Sequence, residues 1–143
     1  MGQEDLRNLS FEELSAYLVS VNEKPFRVKQ IFELLYKRHA QGFGEMKNLP
    51  PALRQHLAAD FGLFSPSVLH RDVSRDQTTK FLFTLADKEK IESVLIPTAS
   101  RRSVCLSTQA GCKFGCRFCA SGIGGWKRNL SCAEILDQIL YIQ

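Results

Sequence analysis

The chain has 143 residues, of which 44% are hydrophobic and 24% charged, a composition that predicts a buried core and excludes a low-complexity protein. Because no apolar run is long enough to span a bilayer and the polar start MGQEDLRNLS differs from a secretory signal, we expect no membrane partner. The net charge of +4 is unevenly distributed, because the stretch between Ser93 and Ala133 has no acidic residue and six basic ones. This stretch predicts binding of an anionic ligand or a nucleic acid. The alternative is a solvated loop that lacks acidic residues.

The first helix is predicted by signals at its N-terminus. Ser10 can cap the helix and Glu13, three residues later, can reach back to it, which completes a capping box. We therefore expect a helix from about Phe11 to Ser20. A second helix fits Phe26 to about Ala40, and Gly42 and Gly44 are expected to end it. Its apolar residues recur with helical spacing: Val28, Ile31, Phe32 and Leu35.

A third helix is predicted to begin at Pro51, a residue favoured in the first helical position, and to end before Gly62. The pattern then changes to the two-residue alternation of strands. Residues 79–85 and 91–96 are rich in strand-forming residues, and the polar residues 87–89 between them predict a hairpin loop.

The last part of the chain predicts a strand over 104–108, a loop over 109–130 and a helix over 131–143. Ser131 and Glu134 repeat the capping box of the first helix. A strand followed by a helix predicts the opening of a β-α unit, and functional residues of parallel α/β folds lie in the loops after the strands. Because a complete (βα) barrel needs roughly 200 residues or more, we expect the chain to be the N-terminal part of a longer protein.

The cysteines form the strongest chemical signal. The chain has five of them, Cys105, Cys112, Cys116, Cys119 and Cys132, an odd number that makes a poor disulfide framework. We therefore expect the cytoplasm as the compartment, where grouped thiols bind metals or carry out redox chemistry. Cys132 has no assigned chemical role and is expected to be structural.

Three thiols at C-x₃-C-x₂-C spacing, in CKFGCRFC (112–119), leave three interpretations open. They could form the buried face of a helix, although Gly111 and Gly115 interrupt such a helix. They could bind a structural zinc ion, with Cys105, Cys132 or His70 as a fourth ligand. They could hold a [4Fe–4S] cluster, which cysteine thiolates ligate and which three ligands would leave with one open iron. The spacing favours the cluster.

This spacing is the signature of the radical SAM superfamily, and longer segments resemble its RlmN/Cfr family of RNA (adenine) methyltransferases, most of all the RlmN type. The segments are PFRVKQIFELLYKR (25–38), FGEMKNLPPALRQHL (43–57), ESVLIP (92–97), CLSTQAGCKFGCRFCASG (105–122) and KRNLS (127–131). The resemblance implies an α/β fold. A small helical accessory domain that binds RNA would span 1–62, a β-hairpin extension 63–98, and the first β-α unit of a partial (βα) barrel, truncated here, 99–143.

The resemblance also implies a reaction. S-adenosyl-L-methionine would bind the open iron of a [4Fe–4S] cluster held by Cys112, Cys116 and Cys119, and an electron from a donor such as flavodoxin would cleave it to a radical. A methyl group would pass through a methyl-cysteine beyond Gln143 to C2 of an adenine in 23S rRNA, and also in tRNA. Glu92 would act as proton acceptor, and Cys105 would resolve the RNA adduct through a transient disulfide.

The same resemblance implies a monomer and predicts that the 143 residues are inactive alone. Two alternatives stay open at this point. One is C8 methylation of adenine, the Cfr-type reaction. The other is a non-catalytic RNA-binding module with a structural zinc ion.

Overall fold

The computed structural model describes residues 3–114 and 116–143. They divide into two compact units, with the boundary between Phe64 and Ser65. The predicted mixed α/β class is confirmed, whereas the predicted division into 1–62, 63–98 and 99–143 stays a prediction. The helices are α1 (Phe11–Ser20), α2 (Arg27–Tyr36), α3 (Pro51–Asp60), α4 (Ala120–Ile123) and α5 (Cys132–Ile142), and the strands are β1 (Glu4–Asp5), β2 (Phe61–Gly62), β3 (Ser67–Val73), β4 (Thr79–Thr84), β5 (Lys90–Pro97), β6 (Arg102–Cys105), β7 (Gln109–Ala110) and β8 (Arg128–Asn129).

The predicted start of α1 is confirmed, including its capping box. The Glu13 backbone N–H donates to Ser10 Oγ at 3.1 Å, and the Ser10 N–H donates to the Glu13 carboxylate at 2.7 Å. These two bonds satisfy N–H groups that have no partner inside the helix. The bonds from Ser10 also lower the pKa of Glu13 from its ordinary value.

Helix α2 ends earlier than the sequence suggests. It stops at Tyr36, so the predicted end near Ala40, before Gly42 and Gly44, is wrong. The backbone N–H groups of Lys37 and Arg38 both donate to the Glu33 carbonyl, and His39 then takes a positive φ of 54°. Histidine is one of the few non-glycine residues that enter this region with some frequency. The helix is therefore closed without a glycine.

The first unit surrounds its core with the three helices. A short parallel pair, β1 with β2, brings Asp5 opposite Gly62. Asp5 forms a buried ion pair with Arg7 at 2.8 Å and also accepts the Phe64 backbone N–H at 2.8 Å, so the pair fixes the end of this unit. The core consists of Leu6, Leu14, Leu18, Val28, Ile31, Leu34, Leu35, Ala40, Met46, Leu49, Leu53 and Leu57.

The second unit is built on a four-stranded antiparallel sheet in the order β3-β4-β5-β6. The predicted hairpin of β4 and β5 is confirmed, with ends that differ by one residue, and Lys88 in its loop has a positive φ of 69°. Strand β3 is absent from the sequence prediction. Its side chains are nearly all exposed, so the apolar alternation that identifies a strand is missing.

Strand β6 differs most from its prediction. It spans Arg102–Cys105 instead of 104–108, because residues 102–105 pair with β5 while the following segment turns away to form β7 against β8. The pairing of β6 with β5 is antiparallel. The start of a parallel barrel over 99–143 therefore stays a prediction. Helix α5 begins after Ser131 with the predicted capping box. None of the helices in the described ranges combines the length and apolarity needed to cross a bilayer.

Candidate functional site

The register of the sheet places Glu92 and Cys105 on the same face. Cys105 pairs with Val94 across β6 and β5, and Glu92 lies two residues before Val94 along β5. Directly paired residues share a face of a sheet, and so do residues two apart on one strand. Both side chains are exposed. The two residues that the family resemblance assigned to the reaction therefore face the same side.

Glu92 borders a cleft of about 490 Å³ in the second unit. Its side chain pairs with Lys80, with 3.2 Å between Nζ and Oε1, and its backbone carbonyl accepts the Ser107 hydroxyl at 2.7 Å. Cys105 does not line this cleft, but the segment immediately after it does. Between Cys105 and the first turn of α4, the residues that line the cleft are Leu106, Ser107, Thr108, Gln109, Gly111, Ala120 and Ser121.

Gln138 of helix α5 holds this segment in place. Its side chain is fully buried and its amide oxygen accepts the Ser93 hydroxyl at 2.6 Å and the Ser107 backbone N–H at 2.9 Å. Its amide nitrogen donates to the Ser107 carbonyl at 2.9 Å and to the Glu134 carbonyl at 3.0 Å. A buried amide satisfied on both ends links β5, the segment after β6 and α5.

The cysteine loop is closed at its base by two glycines. The Cys112 backbone N–H donates to the Gly125 carbonyl at 3.3 Å, next to the pairing of β7 with β8. Gly111 and Gly125 have positive φ values of 72° and 66°. A side chain on Gly111 would collide with the carbonyl oxygen of Gly125. The backbone can approach this closely because Gly111 has no Cβ.

Between Gly111 and Gly125, the predicted cluster ligands Cys112, Cys116 and Cys119 lie outside any helix or strand. The Cys119 N–H donates to the Cys116 carbonyl at 3.2 Å, and helix α4 begins only at Ala120. The interpretation of the triplet as a buried helix face is therefore wrong for the described residues. Gly115, which the sequence analysis places as a break in such a helix, lies outside the described residues. Lys113 extends over the ring of Trp126, with Nζ 4.6 Å from its centroid.

The donor set fits an iron–sulfur cluster, because cysteine thiolates are the ligands that hold such clusters. All five cysteines are free thiols, with Cys112 and Cys119 half-buried and Cys116 exposed. Over residues 3–114 and 116–143, no three Cys, His, Asp or Glu side chains are grouped closely enough to hold a metal ion. His70, the alternative zinc ligand, instead contacts Asp72 at 2.9 Å.

Arg128 joins three parts of the second unit beside this loop. Its guanidinium contacts the Asp87 carboxylate at 2.7 Å in the β4–β5 turn and both Glu134 oxygens at 2.7 Å at the start of α5. Hydrogen bonds from Arg128 are the largest cause that holds the pKa of Asp87 and of Glu134 below the ordinary values of 3.8 and 4.5. Burial opposes this effect at both carboxyls.

Replacing Arg128 with methionine should cost about 1 kcal/mol at neutral pH, because the ion pairs are partly exposed. Both carboxyl pKa values are lower in the folded state, so the stabilisation is present above the ordinary value of 4.5 and is lost as pH falls through the folded-state values. Urea unfolding between pH 7 and 2.5 should show the difference from the original protein shrink below pH 4.5. Replacement of the exposed Lys127 by methionine is the control. If the stability difference between Arg128→Met and the original protein does not change with pH, the ion pairs of Arg128 with Asp87 and Glu134 are not its cause.

Sequence reasoning missed Lys80 and Gln138 as members of this region, and it counted Arg128 among the basic residues expected to meet an anionic ligand. For Gln138 a signal was present, since a polar residue at a helix position expected to face the core, in EILDQIL, requires buried partners. Nothing in the sequence pairs Lys80 with Glu92, or Arg128 with Asp87 and Glu134, because these partners lie on other elements. Exposure also distinguishes Phe118, at 92%, as the most exposed large apolar side chain of the loop.

Comparison with known proteins shows which proteins the chain resembles. Residues 4–62 match the family described as ribosomal RNA large subunit methyltransferase N-terminal domain. The chain is 45% identical over 136 residues to a protein of Geobacillus thermodenitrificans and 46% identical over 137 residues to one of Carboxydothermus hydrogenoformans. Both are named probable dual-specificity RNA methyltransferase RlmN. The alignments cover 95% of this chain and 37% and 40% of those proteins.

The crystal structure of a radical SAM methyltransferase from Sphaerobacter thermophilus superposes on the chain with a TM-score of 0.85 and 34% identity, covering 96% of this chain and 41% of the other. The fold is thus that of part of a radical SAM methyltransferase. Within that class the chain belongs to the RlmN family, since residues 4–62 match its N-terminal domain and the relatives it matches are of the RlmN type. The chain spans about two-fifths of the length of these relatives.

Proposed function

We propose that the chain contributes to a radical SAM RNA methyltransferase that methylates C2 of an adenine in 23S rRNA and in tRNA. The observation that carries the proposal is the cleft in which Glu92 faces residues from both ends of the cysteine loop, Gly111 and Ala120. It brings together, within one unit, a carboxylate and the loop that holds three free thiols. The methyl-carrying cysteine is proposed to lie outside these 143 residues.

The proposed cofactors are a [4Fe–4S] cluster and S-adenosylmethionine, and Cys112, Cys116 and Cys119 would hold the cluster. When bound, such a cluster supplies one electron to S-adenosylmethionine, from a reductant such as flavodoxin. This chemistry suits the substrate, because C2 of adenine is an electron-poor ring carbon that does not displace a methyl group from a sulfonium as an amine would.

The chain's own residues have distinct tasks in this proposal. Glu92, on the wall of the cleft, accepts the proton lost from the adenine carbon when the methyl group replaces its hydrogen. Cys105, on the same sheet face, loses its proton and attacks the thioether sulfur that joins protein and RNA. The sulfur–carbon bond breaks, the carbon keeps the electron pair and takes up a proton to become the methyl group, and the disulfide that forms must be reopened by a reductant. The exposed thiol of Cys105 is free for this reaction.

RNA binding is proposed to use the acid-free stretch around the cysteine loop. Its basic residues are Arg101, Arg102, Lys113, Arg117, Lys127 and Arg128. Arg128 is occupied by two carboxylates, so the other five are the candidates for phosphate contacts. The helical unit is the proposed accessory RNA-binding domain. We also propose a cytoplasmic monomer.

The test is a chimera in which this chain replaces the matching part of the Carboxydothermus hydrogenoformans relative. After anaerobic reconstitution with iron and sulfide, it should hold about 4 iron atoms per chain. With S-adenosylmethionine and a reductant, it should convert adenine of unmodified 23S rRNA to 2-methyladenine, as read by mass spectrometry of the nucleosides. Each of the single substitutions Cys112→Ser, Cys116→Ser and Cys119→Ser should abolish both the iron content and the methylation.

Cys132→Ser is the matched control, since this exposed thiol at the start of α5 should change neither readout. Two other results would contradict the proposal. Exclusive formation of 8-methyladenine would indicate the Cfr-type reaction. A colourless protein that holds one zinc ion per chain and transfers no methyl group would indicate an RNA-binding module with a structural metal.

A further inference from the structure

Lys80 lies beside Glu92 on the exposed face of the sheet. In the register of β4 and β5, Lys80 is opposite Val94 and Leu82 is opposite Glu92, so Lys80 and Glu92 are diagonal neighbours. The ammonium nitrogen is 3.2 Å from the carboxylate oxygen Oε1. Diagonal neighbours in an antiparallel pair are within reach of long side chains.

The other charged groups on this face have different positions. Asp72 on β3 is directly opposite Lys80, but its carboxylate contacts His70 at 2.9 Å. Lys90, at the start of β5, lines the cleft. Among the contacts of the described residues, the Lys80 ammonium therefore has Glu92 as its ion-pair partner.

We propose that Lys80 is a positioning residue that holds the Glu92 carboxylate at the wall of the cleft. The proposal rests on the proposed role of Glu92 as proton acceptor. A glutamate side chain at an exposed strand position is otherwise free to sample several rotamers, and a carboxylate that must meet one ring hydrogen of a bound adenine works best from a single one. Exposed ion pairs contribute little to stability, so loss of Lys80 should affect the reaction more than folding.

The contact itself can be tested on the 143-residue chain. In a sample labelled with ¹⁵N-lysine, the Nζ signal assigned to Lys80 should shift when Glu92 is replaced by glutamine. Replacement of Glu89, in the β4–β5 turn, by glutamine is the control and should leave that signal in place. If Glu92→Gln leaves the Lys80 signal unmoved, the ion pair does not exist in solution and the proposal is overturned.

The effect on the reaction is measured in the chimera described above, with saturating RNA and S-adenosylmethionine. Lys80→Met should lower kcat by about tenfold while KM for the RNA stays unchanged, because the base is misplaced and RNA binding is not. Lys80→Arg keeps the cation and should restore kcat to within about twofold. Lys88→Met, which removes a lysine from the hairpin turn, should have no effect on either constant.

Three results on kinetics would overturn the proposal. An unchanged kcat in Lys80→Met would show that Glu92 needs no positioning. Failure of Lys80→Arg to restore kcat would show that the charge is not the cause. A weaker RNA affinity, with the slope against log salt reduced by about one, would make Lys80 a phosphate contact instead. An original chimera without methyl transfer would contradict the proposed function, while the lysine signal would still decide the ion pair.

Discussion

Replacing Gly111 with alanine should destabilise the second unit by about 3 kcal/mol or more, the larger of the effects expected in the cysteine region. Two costs combine at this residue. Its φ of +72° is in the left-handed region, which costs an L-residue about 1–2 kcal/mol. In addition, a Cβ there would collide with the Gly125 carbonyl, a backbone atom that cannot rotate away.

Two neighbouring glycines separate these costs. Gly125 has a φ of +66° with nothing within 4 Å of an added Cβ, so Gly125→Ala should cost about 1 kcal/mol. Gly124 has a φ of −80° and also open space, so Gly124→Ala should be within about 0.5 kcal/mol of neutral. The measurement is urea unfolding of the three variants at pH 7. If Gly111→Ala lowers the free energy of unfolding by no more than Gly125→Ala does, Gly111 does not approach the Gly125 carbonyl as closely as described.

Replacing Gln138 with leucine should cost about 3 kcal/mol, the second large effect. Leucine has a similar volume but no polar atoms, so the Ser93 hydroxyl and both backbone groups of Ser107 would lose their partner. Each buried polar group left unpaired costs about 1–3 kcal/mol. The loss should be visible as a lower denaturation midpoint with an unchanged slope in urea.

The position of the substitution can be checked with two companions. Gln143→Leu makes the same chemical change at an exposed residue and should be nearly neutral. Adding Ser93→Ala to Gln138→Leu should recover part of the loss, because the unpaired hydroxyl is then removed. A Gln138→Leu protein as stable as the original would mean that water replaces the amide, and that Gln138 does not hold the cleft wall.

Local signals were sufficient to predict the starts of α1 and α5, but not that of α4, which lies in the segment predicted as a loop. The capping boxes at Ser10 and Ser131 depend on residues three apart, so the sequence contains the complete interaction. The end of α2 is different, because His39 closes it in a conformation that glycine is expected to adopt. The residues at the end of α2 therefore do not indicate where this helix stops.

Long-range pairing set the limit on predicting the sheet. Strand β3 has no apolar alternation, and the extent of β6 depends on which residues find hydrogen bonds on β5. The chemistry-bearing cysteines and Glu92 could be named from the sequence through the family resemblance. Lys80 could not, because it acts on a residue of a different strand, and Gln138 was marked only as a polar residue at a core-facing helix position, without its partners.

The pairing of β5 with β6 also determines which length changes the chain can accept. The two strands are joined by a short turn in which the Thr98 N–H donates to the Arg101 carbonyl at 2.8 Å. Residues inserted into that turn can loop out and leave Cys105 opposite Val94. A deletion that slips β6 by one residue would instead carry Cys105 to the opposite face from Glu92, since side chains alternate along a strand. Homologous chains should therefore differ in the length of this turn, while the residue that corresponds to Cys105 stays on the same sheet face as the one that corresponds to Glu92.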